Sequence, residues 1–162
     1  MVDLEKAILA LSENNVEFVI VGGVAIRLHS SGYITVDLDF CYSRDRSNIA
    51  RLVRSLATFD PKPRDWPKGL PFVFDERTIL NGTNFTFETT IGDIDLLGEV
   101  KGIGDYSNVF KNSVEFEVYG TKIRAFTVDA LIISKTAADR PKDRLVLPEL
   151  YALREALDPN ED

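Results

Sequence analysis

Two pairs of aspartates are the residues in this sequence best suited to chemistry. One leucine separates Asp37 from Asp39, and one isoleucine separates Asp93 from Asp95. Side chains at positions i and i+2 of a strand point to the same face, roughly 6.6 Å apart. Carboxylates held on one face repel each other, and a hard cation such as Mg²⁺ removes that repulsion. Asp37 and Asp39 therefore indicate either a metal site or a solvated strand face.

The second aspartate pair adds to the first if the two strands are neighbours. One aspartate from each strand would then share two metal ions about 3.5–4 Å apart, which stabilise the attacking and leaving oxygens of a phosphoryl displacement. The alternative is one structural aspartate at a strand start and one exposed aspartate.

Gly22 and Gly23 follow an apolar strand pattern and precede a helix pattern. The absence of side chains there lets a phosphate approach, and a helix start offers free N–H donors and partial positive charge. A tight strand-to-helix turn is the other interpretation of this pair.

Four positive charges lie within ten residues near the C-terminal end: Lys135, Arg140, Lys142 and Arg144. Cations at a helix end or on a solvated face are one interpretation. Contact with a triphosphate or an RNA backbone is the other.

Hydrophobic periodicity predicts the elements that position these residues. Helices are expected over 2–14, 24–29, 43–59, 128–138 and 141–157. Strands are expected over 16–21, 35–42, 83–90, 91–97, 114–119 and 122–126. Together they predict an α/β or α+β fold, a small mixed β-sheet flanked by helices.

Three local features refine this pattern. Alternation within 35–42 predicts two strand faces. Val36, Leu38 and Phe40 form one face, and Thr35, Asp37, Asp39 and Cys41 form the other. The segment 60–71, with four prolines, is expected to be a loop. Pro148 is expected to break or kink the last helix.

Length and composition favour one cytoplasmic domain over 1–162, with 127–162 as a C-terminal helical part. The chain is 44% hydrophobic, without the ~20-residue apolar run of a membrane span or the layout of a signal peptide. A single cysteine excludes an internal disulfide. The net charge of −7 argues against broad binding to nucleic acid, but permits a local basic site or an acidic site neutralised by a metal.

The glycine pair followed after thirteen residues by Asp37-Leu38-Asp39-Phe40 resembles the signature of the polymerase-β-like nucleotidyltransferase superfamily. Residues 91–100 look like the later strand of that superfamily, which bears one more carboxylate. Residues 131–150 resemble the small bacterial branch allied to abortive-infection and toxin-type nucleotidyltransferases, in which a Lys and a Lys-Asp pair lie on successive helices.

The resemblance implies a role for each matching residue. Mg²⁺ would be bound by Asp37, Asp39 and a third carboxylate, for which Asp95 is preferred to Asp93 because two apolar residues follow it. Asp95 would also accept the proton of an attacking hydroxyl. The nucleotide would be bound by Gly22, Gly23, Thr35 and Lys135. Lys142 and Asp143 match the Lys-Asp pair.

One position departs from the pattern of this branch. Many relatives have an arginine two residues before the threonine, where this chain has Tyr33. That change implies altered substrate choice or an inactive member. Arg27, one helical turn from the glycine pair, is the candidate to replace the missing arginine.

The resemblance implies an Mg²⁺-dependent nucleotidyltransferase with two ions, or with Mn²⁺ in their place. It would move a nucleoside monophosphate from an NTP, such as ATP, to a hydroxyl of tRNA, a protein or a small molecule, in a toxin–antitoxin or abortive-infection setting. A partner chain or a homodimer is expected, and no membrane. The alternatives are an inactive binding or antitoxin module and a metal-dependent phosphodiesterase or nuclease. Carboxylates locked by an arginine, with no room for an ion, would contradict the metal site.

Overall fold

The computed structural model describes residues 1–157, in which helices and strands together form a mixed α/β fold. Its α-helices are α1 (Leu4–Glu13), α2 (Gly22–His29), α3 (Arg46–Leu56), α4 (Glu76–Leu80), α5 (Tyr106–Lys111), α6 (Val128–Ala138) and α7 (Pro141–Leu157). Its strands are β1 (Phe18–Val21), β2 (Leu38–Tyr42), β3 (Lys62–Pro63), β4 (Asn84–Thr89), β5 (Gly92–Leu97), β6 (Glu99–Val100), β7 (Gly104–Asp105), β8 (Ser113–Val118) and β9 (Thr121–Phe126).

Seven of these strands form one mixed sheet in the order β3-β4-β5-β2-β1-β9-β8. β2 runs antiparallel to β1 and parallel to β5, while β4–β5 and β8–β9 are antiparallel hairpins. The expected mixed sheet flanked by helices is thus confirmed. The two strands that bear the aspartate pairs are direct neighbours, which was the condition for a shared site.

Local sequence signals explain where two helices begin. The Asp3 carboxylate accepts a hydrogen bond from the Lys6 amide and caps α1, and Thr127 caps α6 in the same way through the Ala130 amide. α1 buries its side chains at helical spacing: Ala7, Ile8 and Leu11. The capped helices therefore start at the positions that these side chains favour.

The core lies on both sides of the central strands. All four residues of β1 are buried, as expected for a strand covered on both faces. On the sheet's outer part, Phe87 is fully buried and its ring stacks on that of Phe85 with centroids 5.6 Å apart. Aromatic burial therefore fixes β4 against the rest of the sheet.

The predicted start of the second strand was wrong. The strand begins at Leu38, because its partner β1 ends at Val21, the residue paired with Asp39. Without a ladder partner, the Val36 carbonyl accepts a hydrogen bond from the Val2 amide at 2.9 Å. Val36 is therefore 56% exposed, whereas Leu38 is fully buried, and the expected apolar face does not extend to Val36.

Two further predictions need correction. The segment 60–71 contains the short strand β3, which pairs with β4 at the edge of the sheet, so it is not wholly a loop. The helix expected over 43–59 is shorter, and a 3₁₀ turn over Ala57–Phe59 ends it where Asp60 adopts a φ of 49°. This left-handed residue prevents the helix from continuing.

The C-terminal helices α6 and α7 pack on each other, and α6 also contacts α2 and β9. Helix α7 continues through Pro148, so the expected break does not occur. Buried Val146 and Leu150 hold the helix on both sides of the proline. Residues 158–162 of the expected C-terminal part lie outside the described residues.

Within residues 1–157, no helix combines the length and apolar character needed to cross a membrane.

Asn48 is expected to be a strong determinant of stability. It is fully buried on α3, accepts from the Glu17 amide at 2.7 Å, and donates to the carbonyls of Glu17 and Ser43 at 3.1 and 2.8 Å. Asn48→Ala removes the partner of the Glu17 amide and of the Ser43 carbonyl and should lower the free energy of unfolding by about 2–3 kcal/mol. Urea denaturation measures this, with exposed Ser47→Ala on the same helix as the control. Equal losses in both variants would contradict the assignment.

Candidate active site

The centre of the candidate site is a pair of carboxylates from neighbouring strands. Asp39 of β2 and Asp95 of β5 stand opposite each other in the parallel ladder, so both point to the same face. The pKa of Asp39 is raised to about 7, chiefly by burial and also by the neighbouring Asp95 and Asp37, while Lys135 opposes this shift. The pair therefore holds less than two full negative charges near neutral pH unless a cation joins it.

The other two aspartates lie at the margin of this pair. Asp37 is half-buried in the bend before β2, and Asp93 precedes Asp95 by two residues on β5. In the part of the chain that the structure describes, no group of three or more His, Cys, Asp or Glu side chains is placed to hold a metal ion. The structure brings Asp39 and Asp95 together, and the negative charge of Asp37 acts on Asp39.

Arg64 is the cation nearest to the carboxylate pair, and sequence reasoning missed it. Its Nη2 donates to Asp95 Oδ1 at 2.9 Å, and its Nε lies 3.5 Å from Asp93 Oδ2. The Arg64 amide also bonds to the Thr86 carbonyl at 2.9 Å, which holds the backbone beside β4. The residue lies in the proline-rich segment that was expected to be a loop, where no sequence pattern distinguished it.

The glycine pair makes room for protein side chains. Gly22 has a φ of 69° at the junction of β1 and α2, and a Cβ there would collide with the carboxylate of Asp39. A Cβ on Gly23 would lie 2.9 Å from the Cβ of Thr35 and 3.3 Å from the ring of Tyr33. Both glycines are therefore required for Asp39 and the 33–35 segment to approach the start of α2.

Tyr33 and Thr35 pack in this junction rather than reaching outwards. The Thr35 hydroxyl donates to the carbonyl of Asp37 at 3.3 Å. Burial raises the pKa of Tyr33, as do the negative charges of Glu149, Asp143 and Asp39. The tyrosine that replaces the expected arginine thus stands in a negative environment without adding positive charge.

Lys135 and Arg140 form a basic wall beside the Asp39–Asp95 pair, and Asp143 holds both cations in place. Its fully buried carboxylate accepts from Lys135 Nζ at 3.1 Å and from Arg140 Nε at 2.7 Å. Burial alone would raise the pKa of Asp143, but hydrogen bonds from Arg140 and Lys135 outweigh it and lower the pKa to about 2. The ionised carboxylate therefore fixes both cations at the junction of α6 and α7.

A cleft of about 410 Å³ is lined by this basic wall and by the turn between β6 and β7. Its lining includes Gly22, Asp39, Lys135, Arg140 and Lys101. Gly102 (φ 85°) places this turn against α6, since a Cβ there would lie 2.7 Å from that of Ala137. Lys101 is a second residue that sequence reasoning missed, because the short β6–β7 hairpin gives no periodic signal.

Several predicted residues lie outside this cleft. Asp95 stands next to Asp39 but does not line it, and Lys142 is exposed on α7. Arg27 is exposed and lines a different cavity with Leu4, Val24 and Tyr119. The structure therefore does not bring Arg27 together with Asp39 and Lys135.

Asp143 is expected to make stability depend on pH in the acid range. An aspartate pKa of about 2 in the folded chain and about 3.9 when unfolded gives stability that is complete above pH 4 and lost as the pH falls towards 2. Asp143→Asn should lose about 2 kcal/mol at neutral pH, and its difference from the wild type should shrink below pH 4. Urea denaturation across pH 2–7 tests this. Exposed Asp139→Asn is the control, and parallel curves for wild type and Asp143→Asn would contradict it.

Gly22→Ala is expected to destabilise the junction. The left-handed backbone and the collision with the Asp39 carboxylate should together lower the free energy of unfolding by about 1–3 kcal/mol. Gly32→Ala is the matched control, since a Cβ there meets no atom within 4 Å. Denaturant unfolding of both variants distinguishes them, and a Gly22→Ala chain as stable as Gly32→Ala would disprove the tight approach.

The fold is similar to those of solved nucleotidyltransferases. The lincosamide antibiotic adenylyltransferase LnuA, solved with lincomycin bound, has a TM-score of 0.60 at 11% identity over 94% of this chain and 98% of LnuA. ANT(2'')-Ia, in complex with adenylyl-2''-tobramycin, has a TM-score of 0.59 at 16% identity over 95% of this chain and 86% of its own.

An antigenic nucleotidyltransferase-like protein from Paracoccidioides brasiliensis has a TM-score of 0.55 at 17% identity, over 94% of this chain and 77% of its own. Likeness at these identities concerns the fold. No protein of curated function matches the sequence. A profile of the family described as "Nucleotidyl transferase of unknown function (DUF2204)" matches residues 1–158, and the chain therefore belongs to that family.

Proposed function

We propose that the protein is an Mg²⁺-dependent nucleotidyltransferase that moves a nucleoside monophosphate from an NTP, such as ATP, to a hydroxyl acceptor and releases pyrophosphate. The observation that carries the proposal is the pairing of Asp39 with Asp95 on adjacent parallel strands, beside Gly22 and a basic wall. Membership of a nucleotidyl transferase family supports the same chemistry.

The carboxylate pair fits a hard divalent cation. Mg²⁺ is commonly bound by one or two carboxylates, with water and substrate phosphates as its other ligands. Asp39 and Asp95 supply two such groups from adjacent strands. When bound, Mg²⁺ would neutralise phosphate charge and fix the phosphates in line for transfer. A second ion bound through Asp37 remains a prediction.

The cations around the cleft suit the triphosphate. The cleft is lined by Lys101, Lys135 and Arg140, whose charges suit phosphate oxygens and provide no nucleophile. Gly22 at the start of α2 lets the Asp39 carboxylate approach the cleft that these cations line. The chain therefore contributes orientation and positive potential on the nucleotide side of the carboxylates.

The acceptor side belongs to Asp95. Because Asp95 lies next to Asp39 but outside the cleft lining, a hydroxyl approaching there would meet a carboxylate able to take its proton. A small hydroxylated molecule suits this site better than tRNA, since Asp37, Asp93 and the net charge of −7 repel a phosphate backbone. The structures of LnuA and ANT(2'')-Ia contain an antibiotic and an adenylylated antibiotic, respectively, as small-molecule precedents.

A protein acceptor, a toxin–antitoxin or abortive-infection setting, a cytoplasmic location and a partner chain or homodimer belong to this proposal as further expectations. Each follows from the resemblance of residues 131–150 to the toxin-type branch or from composition. None of them is needed for the chemistry of the carboxylate pair.

A non-catalytic nucleotidyltransferase-like module is the second candidate function. The ion pair between Arg64 and Asp95 favours it, because the guanidinium already neutralises one of the two carboxylates. Tyr33 in place of the expected arginine also favours it. Such a module would bind NTP or a protein partner and form no product.

Transfer is tested with α-labelled NTPs, Mg²⁺ and a panel of small polyhydroxylated acceptors, tRNA and protein. Asp39→Asn and Asp95→Asn should each lower the rate at least about 100-fold, since each removes a charge that acts on the reacting groups. Asp45→Asn, just after β2, is the control, because Asp45 is exposed and makes no side-chain cap. Transfer that survives in Asp39→Asn would disprove the assigned site.

Isothermal titration of the same variants with NTP and Mg²⁺ separates the two candidate functions. Binding together with product supports the transferase, and binding without product on any acceptor supports the non-catalytic module. Absence of NTP binding by the wild type contradicts the transferase and a module that binds NTP, and leaves only a module that binds a protein partner.

A further inference from the structure

We infer that Arg64 is an internal counter-ion that competes with a divalent cation for Asp95, so that metal binding requires the guanidinium to leave this carboxylate. The inference rests on the metal site of the proposed function and adds a competing group within the chain itself. It concerns the Arg64 side chain, and the backbone of β3 stays in place.

The contacts of the guanidinium are those of a counter-ion. Arg64 Nη2 donates to Asp95 Oδ1 at 2.9 Å, the length of a charge-assisted hydrogen bond. The same side chain reaches Asp93 Oδ2 with its Nε at 3.5 Å. The negative charge of Asp37 also acts on it, together with those of Asp93 and Asp95. The guanidinium thus contacts Asp95 and Asp93 and is also attracted by the charge of Asp37.

The fit of Arg64 in this place is incomplete. Its Nε is buried and has no hydrogen-bond partner, although a buried donor left unpaired costs free energy. The side chain is 30% exposed, so it has a path to solvent. A tightly fitted structural arginine would have its donors paired, whereas this one is held mainly by charge.

The backbone of this segment is fixed more firmly than the side chain. β3 pairs with β4 through Lys62 and Pro63, and the Arg64 amide bonds to the Thr86 carbonyl. Release of Asp95 therefore requires rotation about side-chain bonds and no unfolding of the edge strand. Rotation of a partly exposed side chain is fast compared with loop rearrangement.

The cation and the guanidinium compete because both need the same charge. A divalent ion between Asp39 and Asp95 would lie within a few ångströms of the Arg64 side chain, and like charges that close repel strongly. The ion offers Asp95 more charge than Arg64 does, and it also relieves the repulsion between Asp39 and Asp95. Arg64 therefore stabilises the metal-free protein and weakens the binding of metal alone.

The test measures Mn²⁺ affinity by isothermal titration and electron paramagnetic resonance, without nucleotide. Arg64→Gln should bind Mn²⁺ about tenfold more tightly than the wild type, because a charged hydrogen bond no longer has to break. Arg154→Gln is the matched control: it removes the same charge from an exposed ion pair with Asp129 and should bind Mn²⁺ as the wild type does.

Thermal unfolding provides a second readout. In EDTA, Arg64→Gln should melt below the wild type, because the carboxylates lose their counter-ion, and saturating Mn²⁺ should close this gap. Should Arg64→Gln fold poorly, Arg64→Lys keeps the charge but not the two-pronged contact, and a gain of a few fold in Mn²⁺ affinity is expected.

Mn²⁺ affinity that is unchanged or weaker in Arg64→Gln would overturn the inference and make Arg64 a residue that orients Asp95. Absence of Mn²⁺ binding in both proteins would overturn it as well. Product formation with unchanged Mn²⁺ affinity defeats the competition alone. Tighter Mn²⁺ binding without any product defeats the proposed transfer and leaves the competition intact.

Discussion

The repulsion between Asp39 and Asp95 is the constraint on which the rest of the site depends. Parallel pairing of β2 with β5 forces the two carboxylates onto one face at one level of the sheet. The repulsion contributes to the raised pKa of Asp39. Arg64 on Asp95 and the positive charge of Lys135 near Asp39 offset part of it. An arrangement of this kind costs stability, and such costs are typical of functional sites.

In the helices at the C-terminal end, one buried aspartate positions two cations. The buried Asp143 carboxylate holds Lys135 and Arg140 in fixed positions, so the basic wall next to Asp39 is preorganised. Preorganised charge is more effective than mobile charge, because no reorganisation is needed when a substrate arrives. The two residues of the Lys-Asp pair therefore differ in their surroundings: Asp143 is buried and holds the two cations, whereas Lys142 is exposed to solvent.

Much of the fold and part of the site followed from the sequence for identifiable reasons. The resemblance to polymerase-β-like nucleotidyltransferases is confirmed by the family and by the similar folds. Caps such as Asp3 and Thr127 and the apolar period of α1 are local signals, so they were readable. The early end of β2 was not readable, because it depends on where its partner β1 ends.

Arg64 and Lys101 were missed for a related reason. Each lies in a short segment without periodicity, and each reaches the site only through tertiary pairing, Arg64 beside β4 and Lys101 through the packing of Gly102 on α6. Asp39 and Asp95 were found because strand alternation is a local rule and their types are suited to metal chemistry. Sequence patterns therefore identified the carboxylates and two of the cations, Lys135 and Arg140, but neither Arg64 nor Lys101.

The short strand β3 has a consequence for the edge of the sheet that it forms. An open sheet edge is a template on which other chains can add strands and aggregate. Two residues, one of them a proline that has no N–H to donate, leave little of that edge available. Arg64 follows β3 directly. A deletion of residues 62–64 would therefore expose the edge of β4 to other chains and would also remove the counter-ion of Asp95.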